Sequence, residues 1–210
     1  MTTMTQGGST GHVHAFKLKG MALRNTTARW GTLSQAFHWV IVALLATQVT
    51  LALIAKDLPN GMEKLATLAR HKSVGITILA LAAARLLWRW MNPVPALPAT
   101  LRPYERRLAH FTHAALYVLL FAMPLTGWTM SSARGFPVSW FNLFQLPDLV
   151  GTSRPLYEAL HETHELLAYT LGAVVLLHIA GALKHHFVLR DGVLRRMLPF
   201  TSSGARGPAP

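Results

Sequence analysis

Four long stretches without charge, separated by charged connectors, restrict what this chain can fold into more than any other feature. Trp30 to Ala55, Leu108 to Ala133 and Leu166 to Leu183 contain no Asp, Glu, Lys or Arg, and Ser73 to Trp88 is broken only by Arg85. A helical run of about 20 apolar residues matches a hydrocarbon layer about 30 Å thick. A soluble four-helix bundle would instead carry a polar stripe along each helix. These runs carry none, which predicts four membrane spans at roughly 35–55, 71–90, 109–130 and 164–184. The expected fold class is all-α, an integral membrane four-helix bundle.

Charge orients the bundle. Fourteen of the 20 Lys and Arg residues lie on one side of the spans: Lys17, Lys19, Arg24, Arg29, Arg85, Arg89, Arg102, Arg106, Arg107, Lys184, Arg190, Arg195, Arg196 and Arg206. The other side holds Lys56, Lys64, Arg70, Lys72, Arg134 and Arg154, together with six of the 8 acids. The positive-inside rule therefore places both termini in the cytoplasm. Anionic lipid accounts for the net charge of +12. Nucleic-acid binding would need a soluble basic face, and none is present.

Residues 1–28 are rich in Gly and Thr without an apolar core, so they read as a flexible cytoplasmic extension rather than a signal peptide or a span. Residues 29–200 form the expected membrane domain, and 201–210 a flexible tail. Asn92-Pro93-Val94-Pro95-Ala96-Leu97-Pro98 cannot be helical throughout and reads as a stiff connector. In the long external connection, Phe136, Trp140, Phe141 and Phe144 suit a chain lying in the membrane interface.

Histidines supply the chemistry. Ionisable residues within a membrane usually face a partner, a cavity or a cofactor. His164 and His178 are fourteen residues apart in one span, which gives about 21 Å of rise and nearly the same helix face. With the expected topology, His38 and His178 share the cytoplasmic level, while His71 and His164 open spans two and four at the external level. Each level offers two imidazoles from different helices, as a six-coordinate haem requires. The chain has no cysteine, so thioether attachment and thiolate-held clusters are excluded and any haem is the non-covalent b type. Zinc is the competing metal, with His161 and His164 as its best pair, but the sequence is not the His-Glu-x-x-His of a metalloprotease.

Other residues fit around such a cofactor. Gly75 and Gly181 lie near the faces of His71 and His178, where they would make room for a macrocycle or for a neighbouring helix. Arg85 shares the face of His71 at the cytoplasmic level and could pair with a propionate, serve a quinone site or reach the interface. Lys72 and Arg70 could serve similarly at the external level. His113 and His110 stand at the level of His38, and either could ligate in its place. Their other roles are propionate hydrogen bonding or proton exchange with a quinone.

Several strings together are similar to the prokaryotic cytochrome b561 family. They are Phe37-His38-Trp39; His71-Lys72-Ser73-Val74-Gly75 with Arg85; and His110-Phe111-Thr112-His113 leading to Leu116-Tyr117. The fourth span adds His164-Glu165-Leu166-Leu167-Ala168, His178, His185-His186-Phe187 and the ending Arg190-Asp191-Gly192-Val193-Leu194-Arg195-Arg196-Met197-Leu198-Pro199. The resemblance covers about residues 29–200. It implies four helices in a bacterial inner membrane, two haem b groups, and His38, His71, His164 and His178 at the ligand positions. It also implies electron transfer linked to a quinone, with ubiquinone the expected substrate.

Some relatives resemble superoxide-oxidising quinone reductases. The alternative is a haem-carrying subunit that anchors a soluble dehydrogenase in the membrane. No catalytic residue is assigned.

Overall fold

The computed structural model describes residues 23–98 and 101–198. Residues 1–22 of the expected N-terminal extension and the whole expected tail, 201–210, lie outside the described residues. Four helices run through the fold: α1 (Thr32–Asp57), α2 (Met62–Trp90), α3 (Pro103–Ala133) and α4 (Arg154–Leu183). A π turn, Lys184–Val188, continues α4. All four are long and apolar enough to cross a membrane. Their outward faces bear large apolar side chains such as Val49, Phe111, Val118, Leu166 and Leu176, each well exposed. Such a continuous apolar surface is costly in water and is matched by lipid.

The helices exceed the expected spans, mostly at the end opposite the termini. Helix α2 begins at Met62 and α4 at Arg154, so His71 and His164 lie about 13 to 15 Å inside their helices rather than opening them. The added turns carry Glu63, Lys64, Glu158, His161 and Glu162. Hydropathy marks where hydrocarbon begins, whereas a helix continues into water as long as its polar residues tolerate it.

Packing is uneven. Ile41 of α1, Val74, Ile78 and Ala82 of α2 and Leu120 of α3 form the buried core, with Leu44, Leu45, Leu51, Leu81 and Phe121 against it. Helix α4 contributes no buried residue. It packs on α3, but no Cα atom of α4 lies within 8 Å of one on α1. Neighbouring helices in a bundle ordinarily approach to about 8–10 Å between axes. The bundle is therefore open along its α1–α4 side.

The terminal end is closed by a polar clamp. Buried Asn25 accepts from Gly31 N at 2.9 Å and Ser34 Oγ at 2.7 Å, and its amide donates to Pro93 O at 3.0 Å. Trp88 Nε1 donates to Ser34 Oγ at 3.1 Å. The segment after α4 returns to α1: Gln35 Nε2 donates to Arg196 O and Trp39 Nε1 to Met197 O. Ordered structure thus reaches back before residue 29, and the chain bridges the α1–α4 opening at this end.

At the far end α3 stops in a Schellman motif. Gly135 adopts φ 75°, its N–H bonds Ser132 O, and Phe136 N–H bonds Ser131 O. A short antiparallel hairpin follows, β1 (Ser139–Trp140) with β2 (Phe144–Gln145). Its turn places Phe141 and Asn142 at positive φ, as the tight turn that suits strand twist requires. Trp140 Nε1 donates to Thr77 Oγ1 and Phe141 N to Ser73 Oγ, each at 3.0 Å. These bonds hold the hairpin against α2, while Phe136, Phe141, Leu143 and Phe144 remain exposed.

Candidate functional site

The fourteen-residue interval in α4 behaves as helical geometry requires. Half-buried positions recur at His164, Leu167, Leu171, Val174, Val175 and His178, a single inward stripe with a histidine at each end. The matching stripe on α1 runs through His38, Ile41, Leu44, Leu45 and Gln48.

At the level nearer the termini, the ring centroids of His38 and His178 are 6.2 Å apart across the α1–α4 opening. With each ligating nitrogen about 2 Å from a metal, two imidazoles on opposite sides of it have centroids roughly 6 Å apart. The pair therefore fits one shared metal. His113 lies closer to His178, at 5.3 Å between centroids and edge-on, which is tight for that arrangement.

Arg85 extends from α2 into the same cluster. Its NH1 is 3.2 Å from His38 Nδ1, its Nε donates to Tyr117 Oη at 3.3 Å, and its guanidinium stands 5.9 Å from the Tyr117 ring, as does that of Arg89. A guanidinium only donates, so in this arrangement His38 Nδ1 accepts. Among the described residues Arg85 has no carboxylate partner. A cation held within a membrane helix without an anion calls for one.

At the far level stand His71 of α2 and His164 of α4, both half-buried. His71 Nε2 meets Gln48 Nε2 at 3.0 Å, while His71 Nδ1 and Gln48 Oε1 are both buried without a partner. Orphaned buried polar atoms are rare, and these two lie together beside a candidate ligand. His164 Nδ1 is 3.0 Å from Thr126 Oγ1. A Cβ at Gly127 would approach His164 Cε1 to 3.1 Å, so glycine here lets the ring lie on α3.

Both levels have two imidazoles from different helices, and no cysteine offers a covalent link. Among the described residues no group of three His, Asp or Glu side chains could hold a metal ion, which leaves His161 and His164 without the further ligands zinc needs.

The remaining sequence candidates are placed as follows. Lys72 Nζ donates to Ser131 Oγ and Pro137 O, at 3.2 and 3.1 Å, and so ties α2 to the loop after α3. Arg70 and His110 are exposed. A Cβ at Gly75 would touch Gln48, and one at Gly181 would meet open space. Gln48, Thr126 and Gly127 escaped the sequence candidates, and Tyr117 entered only within a family string, although an amide in an otherwise apolar run and a Thr-Gly pair after Pro124 were visible signals.

The sequence model of the family described as prokaryotic cytochrome b561 matches residues 29–200. The chain belongs to the prokaryotic cytochrome b561 family. Cytochrome b561 homolog 2 of Escherichia coli (strain K12) is 34% identical over 185 residues, covering 87% of this chain and 98% of the relative. The Yersinia pestis protein named probable superoxide oxidase CybB is 30% identical over 171 residues, 81% of this chain and 96% of its own. Cytochrome b561 homolog 1 of Escherichia coli (strain K12) is 27% identical over 169 residues, 77% of this chain and 92% of its own. As a cytochrome b561, the chain is a multi-pass inner-membrane electron-transfer protein, and the family implies haem b.

Proposed function

We propose that this cytochrome b561 carries two haem b groups, one at each histidine level, and passes electrons between an external donor and the quinone pool. The single observation that carries the proposal is the His38–His178 pair, whose ring centroids are 6.2 Å apart between two helices, α1 and α4, that do not pack on each other. His38 and His178 would hold the inner haem, His71 and His164 the outer. Fourteen of 20 basic residues at the terminal end support a cytoplasmic location for both termini.

Haem, when bound, supplies one-electron carriage; the chain supplies position, ligation and electrostatics. Two histidines per iron leave no coordination site open, which favours electron transfer over oxygen binding. Were His38 to hold the haem through Nε2, its Nδ1 would carry the proton and Arg85 would no longer donate to it. Arg85, whose Nε donates to Tyr117 Oη on α3, would then be available as the cation for a haem propionate. Gln48 would likewise release His71 Nε2 if that nitrogen held the haem.

The donor side is assigned by similarity. The CybB relative is named a probable superoxide oxidase, and superoxide is a one-electron donor that leaves as dioxygen. Two superoxide ions supply the two electrons that, with two protons, convert a quinone into a quinol. Arg70, exposed at the far level, is a cation that would draw such an anion.

The test is stopped-flow absorbance of the purified cytochrome in lipid nanodiscs. Superoxide or ubiquinol added alone is expected to reduce the haem, and oxidised ubiquinone to reoxidise it. A protein inert to all three until a soluble dehydrogenase is supplied would be a membrane anchor, and the proposal would be wrong.

A further inference from the structure

The four candidate ligands are held in different ways. His38 Nδ1 accepts from Arg85, and His71 Nε2 meets an amide while its Nδ1 is orphaned. For His164 the bonding settles the tautomer. Thr126 Oγ1 is 2.9 Å from the Met123 carbonyl and 3.0 Å from His164 Nδ1. A carbonyl only accepts, so the single hydroxyl proton goes to Met123 and Nδ1–H donates to Oγ1, with the Met123 carbonyl a second acceptor beside it. The ring's other nitrogen, Nε2, then keeps its lone pair.

We infer that Thr126 is a positioning residue for the outer haem: its hydroxyl holds His164 in the Nδ1–H tautomer, with Gly127 providing the flat patch of α3 on which the ring lies. The inference rests on His164 being a haem ligand, as proposed above. A ligating histidine that donates its second N–H to an acceptor is fixed in orientation and is a more basic ligand. Greater basicity stabilises ferric over ferrous iron, so Thr126 lowers the outer haem's midpoint potential.

Because α3 carries Thr126 and α4 carries His164, the bond also links haem ligation to the α3–α4 contact, the one interface that α4 makes with another of the four helices among the described residues. Gly127 acts on the same ring from the next position. A methyl group there would push against Cε1 and change the ring's tilt toward the metal.

The experiment is a redox titration of the purified holoprotein, followed at the haem α bands, for wild type, Thr126→Val, Thr126→Ser and His164→Ala. Thr126→Val keeps the side chain's shape and removes the acceptor. Both haems should remain, with the outer haem's equilibrium displaced toward the ferrous state about fivefold, an upward shift of about 40 mV at 59 mV per tenfold for one electron. Thr126→Ser should titrate as wild type, and His164→Ala should lose one haem.

A Thr126→Val protein with both midpoints unchanged would overturn the inference while leaving His164 as a ligand. So would Thr126→Ser shifting as far as Thr126→Val. A His164→Ala protein that retains both haems would overturn the ligand assignment and the inference with it. Gly127→Ala supplies an independent readout: the outer haem's low-spin electron paramagnetic resonance signal should shift while the inner signal stays, and an unmoved outer signal would contradict the role given to this patch.

Discussion

Replacing His178 by alanine is expected to lower the haem content from two to one per chain, with the outer haem's spectrum and midpoint preserved. His178 sits at the end of the inward stripe of α4, opposite His38 across the opening. No side chain of α4 near that level except His178 offers nitrogen to the same point, because His185 is engaged with Asp191 Oδ2 at 2.6 Å. His38→Ala should give the same loss. His113→Ala, by contrast, should retain both haems, since the 5.3 Å edge-on approach of His113 to His178 is too short for two rings flanking one metal. Pyridine haemochrome content per chain distinguishes the cases. Loss of haem on replacing His113, with retention on replacing His38, would reverse the assignment.

The second large effect falls on stability rather than on haem. A Cβ on Gly31 would stand 2.3 Å from Leu23 O and 2.6 Å from Arg24 O, both backbone atoms that cannot rotate away. Gly31→Ala must therefore displace the segment before α1, and with it the Asn25 bonds to Gly31, Ser34 and Pro93. Overpacking of this kind costs about 1–3 kcal/mol, and loss of buried hydrogen bonds adds about 1 kcal/mol or more. The expected result is a lower midpoint of thermal unfolding in detergent, followed by helical circular dichroism. Gly172→Ala is the control. Its Cβ meets nothing within 4 Å, and alanine favours a helix interior, so its midpoint should be unchanged or slightly raised. Equal losses in the two variants would show that the clamp contributes nothing.

The four helices could be read from the sequence because lipid enforces a long, simple pattern: twenty apolar residues or so, with charge only between them. Their far ends could not. Glu63, Lys64, Glu158 and Glu162 sit in continuing helix where hydropathy had already ended. The shared face of His164 and His178 was also readable, since it depends only on helical repeat. What the residues on other helices do was not. Gln48 and Thr126 matter because they meet His71 and His164 across helix contacts, and no pattern within their own segments names those partners. The same limit applies to glycine: Gly75 and Gly181 were natural candidates for making room, yet Gly127 is the one against a histidine ring. The α1–α4 opening has no sequence signature at all, because the apolar face of α4 looks the same whether it meets a helix, lipid or a macrocycle.

Two cofactors at two levels of one bundle are the central claim, and haem stoichiometry measures it directly. Purified holoprotein, quantified by pyridine haemochrome against amino-acid analysis, should contain two haem b per chain. A redox titration of the same sample should resolve two one-electron components, one for each histidine pair. One haem per chain, or none, would contradict the account.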